Sequence, residues 1–406
     1  MTDQRLLRDL HLDTGGTIVF LVLDGLGGRE EVPGGPTELE VAVTPHLDRL
    51  AREGITGSLD IVQPGITPGS GAGHLALFGY DPLEQLVERG VLSALGIDFP
   101  LEAGDVAARG NFCTMDADGT IVDRRAGRPS SEEGRRLVDL LRRSVQLEGV
   151  EVLLEPVKEH RFVLVLRERG GRPLGADVSD SDPHRPGVAA AEPRAGSEES
   201  RRTADLVRSF LEQAGEALAG EERANMVLLR GFAARPDLPS FDEAYGLSAC
   251  AVADYPMYRG LAALLGMART EPPGGPEAAI ASVADRWQAH DFFFIHHKKT
   301  DSTGEDGDFD GKTAQIEAAD AVIPDLQALE PDVLVVTGDH STPASLAAHS
   351  WHPVPVLLHA PATVRRDAVT GFGERAVTAG GLGRRPAQDL MALALAHAGR
   401  LGKYGA

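Results

Sequence analysis

Cysteine is almost absent: Cys113 and Cys250 are the two in 406 residues, and they show neither metal-binding nor redox spacing. A disulfide scaffold is therefore not indicated. No apolar run approaches the ~20 residues needed to span a bilayer. Met1 to Leu12 carries alternating charges without an apolar segment, so no signal peptide is expected. Positive charge is also short, with 40 Lys and Arg against 61 Asp and Glu and a net charge of -21. Neither nucleic acid nor an anionic membrane suits such a surface, although arginines gathered in one place can still bind a small anion. No internal repeat or low-complexity array is present. What remains is a soluble, cytoplasmic protein, long enough for roughly two or three domains.

The most informative stretch runs from Ile66 to Asp81 and holds Ser70 between Pro68-Gly69 and Gly71-Ala72-Gly73. Glycines permit positive φ, so a sharp turn can leave the hydroxyl exposed. The apolar His74 to Phe78 follows, as expected of a helix docking on a core. A hydroxyl on such a turn suits a covalent nucleophile with a helix N-terminus facing an anion. The same composition also suits a flexible surface loop, and the choice rests on what can activate Ser70.

Thr17 to Leu23 is a continuous apolar run, the mark of a strand buried on both faces. It ends at Asp24, beyond the carboxyl end of the strand, where open α/β sheets bind ligands; a turn-forming aspartate is the alternative. Thr44 and Pro45 read as the N-cap and first position of a helix through Gly54, and Gly57 to Val62 as a strand. From about Pro82 to Pro239 the chain is rich in Arg, Gly and Pro, with short strands at Arg161 to Leu166 and Met226 to Leu229 and a helix at Thr203 to Ala219. The pattern of the N-terminal segment then returns in the strand Asp291 to His297, a helix over Lys312 to Leu329, the strands Val333 to Val336 and Pro353 to Leu358, and a helix over Gln388 to Leu401. Strands alternating with helices predict a mostly parallel sheet covered on both faces. The expected domains are a discontinuous one, 1–84 with 240–406, and an inserted one, 85–239.

Strand ends thus carry Asp24, Asp301 and Asp339-His340, with His349 and Ser70 on nearby loops. Carboxylates and imidazoles gathered at one sheet edge call for divalent cations. Asp301 and Glu305, four residues apart, can face one ion from a helical turn, or simply form a solvated surface pair. An Asp-His dipeptide alone is more often structural.

In order and combination, Val22-Leu23-Asp24-Gly25, Pro68 to His74, Arg109-Gly110-Asn111-Phe112, Asp123 to Arg128, Ser179 to His184 and Gly338 to Pro343 resemble the 2,3-bisphosphoglycerate-independent phosphoglycerate mutases. The likeness is to their shorter archaeal-type branch, within the alkaline phosphatase superfamily. It implies an alkaline-phosphatase-like α/β domain interrupted by a smaller α/β domain, acting on phosphoglycerate. It also implies two divalent ions, commonly manganese, with Mg²⁺, Co²⁺ or Zn²⁺ as alternatives. Ser70 would become phosphoserine and join Asp24, Asp339 and His340 around one ion; Asp301, Glu305 and His349 would hold the other. His349 fits better than His352 because the family's histidine lies four residues before Pro353-Val354-Pro355. Relatives usually carry histidine where this chain has Glu305. Arg124, Arg125, Arg128, Arg161, Arg230 and Arg259 are the candidate partners of substrate phosphate and carboxylate, although an arginine taken singly is more often a solvated surface residue. Asp182 would handle the glycerate hydroxyl protons or merely form an Asp-Pro turn. Phosphopentomutase and a metal-dependent phosphatase or phosphonate hydrolase are the alternative activities; a metal-stabilised binding protein is the non-enzymatic one.

Overall fold

The computed structural model describes residues 4–13, 16–85 and 87–405. Two compact units result: Met1–Leu86 with Leu238–Ala406, and Val87–Asp237. In chain order the first contributes strands β1 (Ile18–Leu23) and β2 (Ile55–Asp60). The second holds β3 (Val106–Met115), β4 (Ile121–Asp123), β5 (Val150–Lys158), β6 (Arg161–Glu168) and β7 (Met226–Ala233). The first resumes with β8 (Ala249–Val252), β9 (Ala268–Arg269), β10 (Phe292–His297), β11 (Val333–Thr337), β12 (Val354–His359) and β13 (Gly383–Pro386).

The first unit is built on an 8-stranded sheet in the order β13-β2-β12-β11-β1-β10-β8-β9. Its pairings are parallel except those of β12, which runs against both β11 and β2. Every residue of β1, β10, β11 and β12 is buried, as helical layers on both faces require. Register decides where chemistry can sit. Leu23 pairs with His297 and Val22 with Thr337, so β1, β10 and β11 end on one rim. Asp24, Lys298 and Gly338-Asp339-His340 are the residues that follow those ends.

Local signals account for several helices. Thr44 and Pro45 start Pro45–Glu53, though the Thr44 side chain makes no capping bond. The single helix expected over Lys312 to Leu329 is instead two, Phe309–Ala321 and Ile323–Gln327. Pro324 explains the break, because its ring and missing N–H interrupt a continuing helix.

The first of these helices buries Lys312 completely. Its ammonium donates to the carbonyls of Gly27, at 3.0 Å, and Thr342, at 2.8 Å, and lies 3.9 Å from Glu38. Glu38 in turn accepts from the amides of Ala344, at 2.7 Å, and Arg29, at 3.2 Å. One lysine thereby fastens the segment after β1 to the segment after β11. Burial lowers its pKa, and the Glu38 carboxylate pulls it back up.

The second unit has a 5-stranded sheet, β4-β3-β6-β5 with β7 on β3, and all these pairings are antiparallel. One face carries Phe112, Phe162, Leu164 and Leu229, packed with Leu137, Leu141 and Phe210 of the helices Ser131–Ser144 and Arg201–Leu218. Ser130 caps the first of these by accepting from the Glu133 amide.

Replacing Lys312 by methionine should strand two buried carbonyls and the Glu38 carboxylate, at a cost of about 1–3 kcal/mol or more. A denaturant titration of Lys312→Met checks this; adding Glu38→Gln should recover part of the loss, as expected of coupled groups.

Candidate active site

Ser70 is not in a turn but is the first residue of the helix Ser70–Leu77, capped by Gly69 in extended conformation. Neither Gly69, Gly71 nor Gly73 takes positive φ. Gly73 is required for another reason: a Cβ there would stand 2.2 Å from the carbonyl oxygen of Asp339. The helix therefore lies directly on the segment after β11, which brings the half-buried Ser70 Oγ to 3.2 Å from His340 Nε2.

Around His340 Nε2 converge Asp24 Oδ1 at 3.2 Å and Asp339 Oδ2 at 3.3 Å. The orientation of the ring follows from its neighbours. Thr342 Oγ1 donates to Asp301 Oδ1 at 2.7 Å, so it can only accept from His340 Nδ1, at 2.9 Å. His340 Nε2 is left facing the carboxylates and Ser70. His349 is oriented likewise: its Nδ1 donates to the Pro68 carbonyl at 3.0 Å, while Nε2 lies 3.5 Å from Asp301 Oδ1. The two imidazoles stack at 3.6 Å. A ring nitrogen tied back to a carbonyl or hydroxyl, with the other turned inward, is how ligating histidines are held.

Two groups of donor atoms lie mutually within 4.8 Å: Asp24, Asp339 and His340, and Asp301, His340 and His349. Asp24 Oδ1 and Asp339 Oδ2 are buried without a hydrogen-bond partner. Buried carboxylate oxygens in that condition are costly, and a divalent cation would satisfy them. The residues present therefore fit a metal. Glu305 is different. It ends the helix Lys299–Glu305, its side chain is 55% exposed, and its Oε1 lies 3.7 Å from His349 Nε2. It stands at the rim of the second group, in which His340 takes the third place.

Several contributors were not singled out as site residues from the sequence. Lys298 places its ammonium 3.0 Å from Asp24 Oδ2 and hydrogen-bonds Asp301. The buried Tyr258 hydroxyl donates to Asp24, and its ring lies 3.7 Å from that of His296, whose Nε2 is 3.2 Å from Asp24. His74 Nδ1 donates to the Ser70 carbonyl at 2.8 Å and lies 3.2 Å from Asp339. Burial would raise the Asp24 carboxyl, but Lys298, His296 and His340 hold it well below its usual range. Burial also disfavours charge on His340, yet Asp339 and Asp24 lift its pKa to about 9.

In the second unit Arg109 pairs with Arg230, and Asn111 with Arg161, so all four share the face opposite its apolar core. Arg161 Nε, Arg230 Nε and Asn111 Oδ1 are buried without hydrogen-bond partners. Arg124 clasps the buried Asp182 with two bonds, at 2.8 and 2.7 Å, and Arg230 lies 3.6 Å from it. Burial opposes the Asp182 charge, but Arg124 and the His184 amide keep its pKa below the usual range. Burial and the nearby Arg89 bring Arg230 down to about 10. Such crowding of positive charge favours an anion. Arg125 and Arg128 are exposed. Arg259 lies in the first unit and donates to the Thr270 carbonyl.

Chelator-treated protein should gain thermal stability on addition of Mn²⁺ or Mg²⁺, by about 2.7 kcal/mol at a hundredfold excess over Kd. Asp24→Asn and Asp339→Asn should abolish the gain in a melting experiment; an equal gain in both would show that the ion binds elsewhere.

Residues 51–223 match the family model described as 2,3-bisphosphoglycerate-independent phosphoglycerate mutase. A Thermus thermophilus protein named “Probable 2,3-bisphosphoglycerate-independent phosphoglycerate mutase” is 50% identical over 404 residues, covering 98% of each chain. A Deinococcus radiodurans protein of the same name is 48% identical over 98% of each. Among solved structures, a Pyrococcus horikoshii protein matches at TM-score 0.82 and 29% identity, covering 97% of this chain and 100% of that one. The cofactor-independent phosphoglycerate mutase of Thermoplasma acidophilum matches at TM-score 0.66 and 29% identity, covering 94% and 100%. With half its residues shared along nearly the full length of a named relative, the chain belongs to the 2,3-bisphosphoglycerate-independent phosphoglycerate mutase family.

Proposed function

We propose that this protein is a cytoplasmic isomerase that interconverts 3-phosphoglycerate and 2-phosphoglycerate through a phosphoserine at Ser70, with no added bisphosphoglycerate. The observation that carries this is Ser70 Oγ 3.2 Å from His340 Nε2, beside Asp24 and Asp339, in a member of this family. The names of the relatives favour it over phosphopentomutase, phosphatase or phosphonate hydrolase activity. A non-enzymatic binding role leaves the Ser70 hydroxyl without purpose. Among the described residues, no helix is long and apolar enough to cross a membrane.

Asp24, Ser70, Asp339 and His340 are the residues proposed to hold one divalent cation; Asp301 and His349, with Glu305 at the rim, are proposed for another. Carboxylate-rich sets with imidazole suit Mn²⁺ first, then Mg²⁺, with Co²⁺ and Zn²⁺ as alternatives. When bound, such ions lower the pKa of a hydroxyl and neutralise charge on a transferring phosphoryl group.

Ser70 Oγ attacks the phosphorus of 3-phosphoglycerate; its bond to phosphorus forms as the bond to the C3 oxygen breaks, and the serine proton ends on the released hydroxyl. Glycerate is retained and offers its C2 hydroxyl, which takes the phosphoryl group and returns a proton to Ser70. Retention needs partners for a carboxylate and two hydroxyls. Arg161 and Arg230, with buried nitrogens awaiting acceptors, are proposed for the carboxylate. Arg124 clasps Asp182 and helps to keep its pKa below the usual range. Asp182 is proposed to handle the glycerate hydroxyl protons, accepting a hydrogen bond from the hydroxyl it orients. Arg125 and Arg128, being exposed, are proposed only for the approach of the anion. Arg259 gives one N–H to the Thr270 carbonyl, and its guanidinium carries further donors, so it stays a proposed partner of the substrate anion.

Metal-loaded protein should convert 3-phosphoglycerate in an enolase-coupled assay without 2,3-bisphosphoglycerate, and Ser70→Ala should reduce turnover to trace. Mutase activity in a folded, metal-bound Ser70→Ala protein would refute the phosphoserine route.

Arg161→Ala or Arg230→Ala removes a charge-assisted contact, so glycerate should escape roughly ten- to hundredfold faster. Phosphate release should then rise relative to 2-phosphoglycerate, both measured in one reaction. Proportional loss of the two products would mean that these arginines do not retain glycerate.

A further inference from the structure

We propose that Lys298 is a catalytic residue whose ammonium leaves the Asp24 and Asp301 carboxylates and engages the phosphoryl group moving to and from Ser70. This rests on the phosphoserine route through Ser70.

Lys298 follows the end of β10 and stands at the N-cap of the helix Lys299–Glu305, so its backbone is fixed at the rim. Its ammonium bridges two carboxylates, lying 3.0 Å from Asp24 Oδ2 and bonded to Asp301 Oδ2. These belong to the two different donor groups, so the cation stands where both meet. On the far side of Asp24, Oδ1 lies 3.2 Å from His340 Nε2, itself 3.2 Å from Ser70 Oγ. The ammonium and the hydroxyl thus flank one carboxylate–imidazole pair.

Three features make the ammonium releasable. Its side chain is 24% exposed, unlike that of Lys312, which is fully buried on backbone carbonyls. The carboxylates keep other donors when it leaves: Tyr258 Oη–H on Asp24 Oδ2, and Thr342 Oγ1–H on Asp301 Oδ1 at 2.7 Å. The rings of Tyr255 and Tyr258 lie 6.0 and 5.8 Å from Nζ and give it an apolar, electron-rich wall along which to move.

Charge supplies the reason to move. A phosphoryl group arriving at Ser70 adds negative charge beside Asp24, Asp301 and Asp339. A lysine offers three rotatable donors on a flexible stem and can follow that charge as it passes between glycerate and serine oxygens. No proton is transferred from Lys298; it donates hydrogen bonds to nonbridging phosphoryl oxygens while the P–O bonds exchange.

The experiment compares metal-loaded wild type, Lys298→Met and Lys298→Arg in metal content, affinity for inorganic phosphate by calorimetry, and kcat on 3-phosphoglycerate. Lys298→Met should keep its metal but bind phosphate roughly ten- to hundredfold more weakly, with kcat falling at least as far. Lys298→Arg, keeping the charge in a bulkier group, should fall between. Wild-type phosphate affinity and kcat in Lys298→Met overturn the proposal. So does loss of metal with unaltered phosphate binding per loaded site, because Lys298 would then only hold the carboxylates. Should Lys298→Met not fold, Lys298→Arg decides: unchanged phosphate affinity and kcat overturn the proposal. Failure of the wild type itself to interconvert the phosphoglycerates would sink the mutase reading instead, whatever the variants do.

Discussion

Two buried carboxylates, Asp24 and Asp339, approach one imidazole within 3.3 Å, and much of the surrounding structure answers that concentration of negative charge. Ions placed so deep lose several kcal/mol of hydration each, which only close partners offset. The partners are arranged by kind. The Gly25 amide donates to Asp339 at 3.1 Å, Tyr258 and Lys298 meet Asp24, and Thr342 supports Asp301. Two carboxylate oxygens still lack a donor, and both face His340. A pocket provided for on every side but one is organised to receive positive charge.

The sheet makes the meeting possible. Parallel strands expose their carboxyl ends on one rim, and the register of β1 with β10 and β11 puts three acid-bearing segments side by side. Such segments repel one another and need fastening. Lys312 does this from beneath, holding Gly27 and Thr342 by their carbonyls, while Gly73 lets the Ser70 helix press against Asp339. A mobile cation, Lys298, and a fixed one, Lys312, thus serve one rim in different ways. The difference lies in burial and in what each ammonium bonds.

The second unit meets the opposite electrostatic problem. Arginines from neighbouring antiparallel strands crowd one face, with Asp182 and Asp180 as counter-charges beside Arg230. An overall acidic chain can therefore offer a local site for a small anion, since what binds the anion is spacing and not net charge.

The sequence by itself determined what is encoded over short distances. Apolar runs marked β1, β10 and β11; Asp24, Asp339 and His340 were visible because they directly follow such runs; the order of the motifs was enough to recognise the family. Even so, local reading put Ser70 in a turn whose glycines permit positive φ, because the contact that requires Gly73 comes from Asp339, far along the chain. Only the tertiary structure decided which polar groups face each other. Lys298, Tyr258 and His296 meet Asp24 through strand register and helix packing, and a lysine or tyrosine in isolation has no periodicity to betray it. The same holds for the bond from Arg259 to the Thr270 carbonyl, and for β12, whose reversal in the sheet is set by pairing with β11 and β2. Propensity and pattern act over one turn or one strand, whereas a site is assembled from side chains whose proximity arises only when the strands have chosen their neighbours.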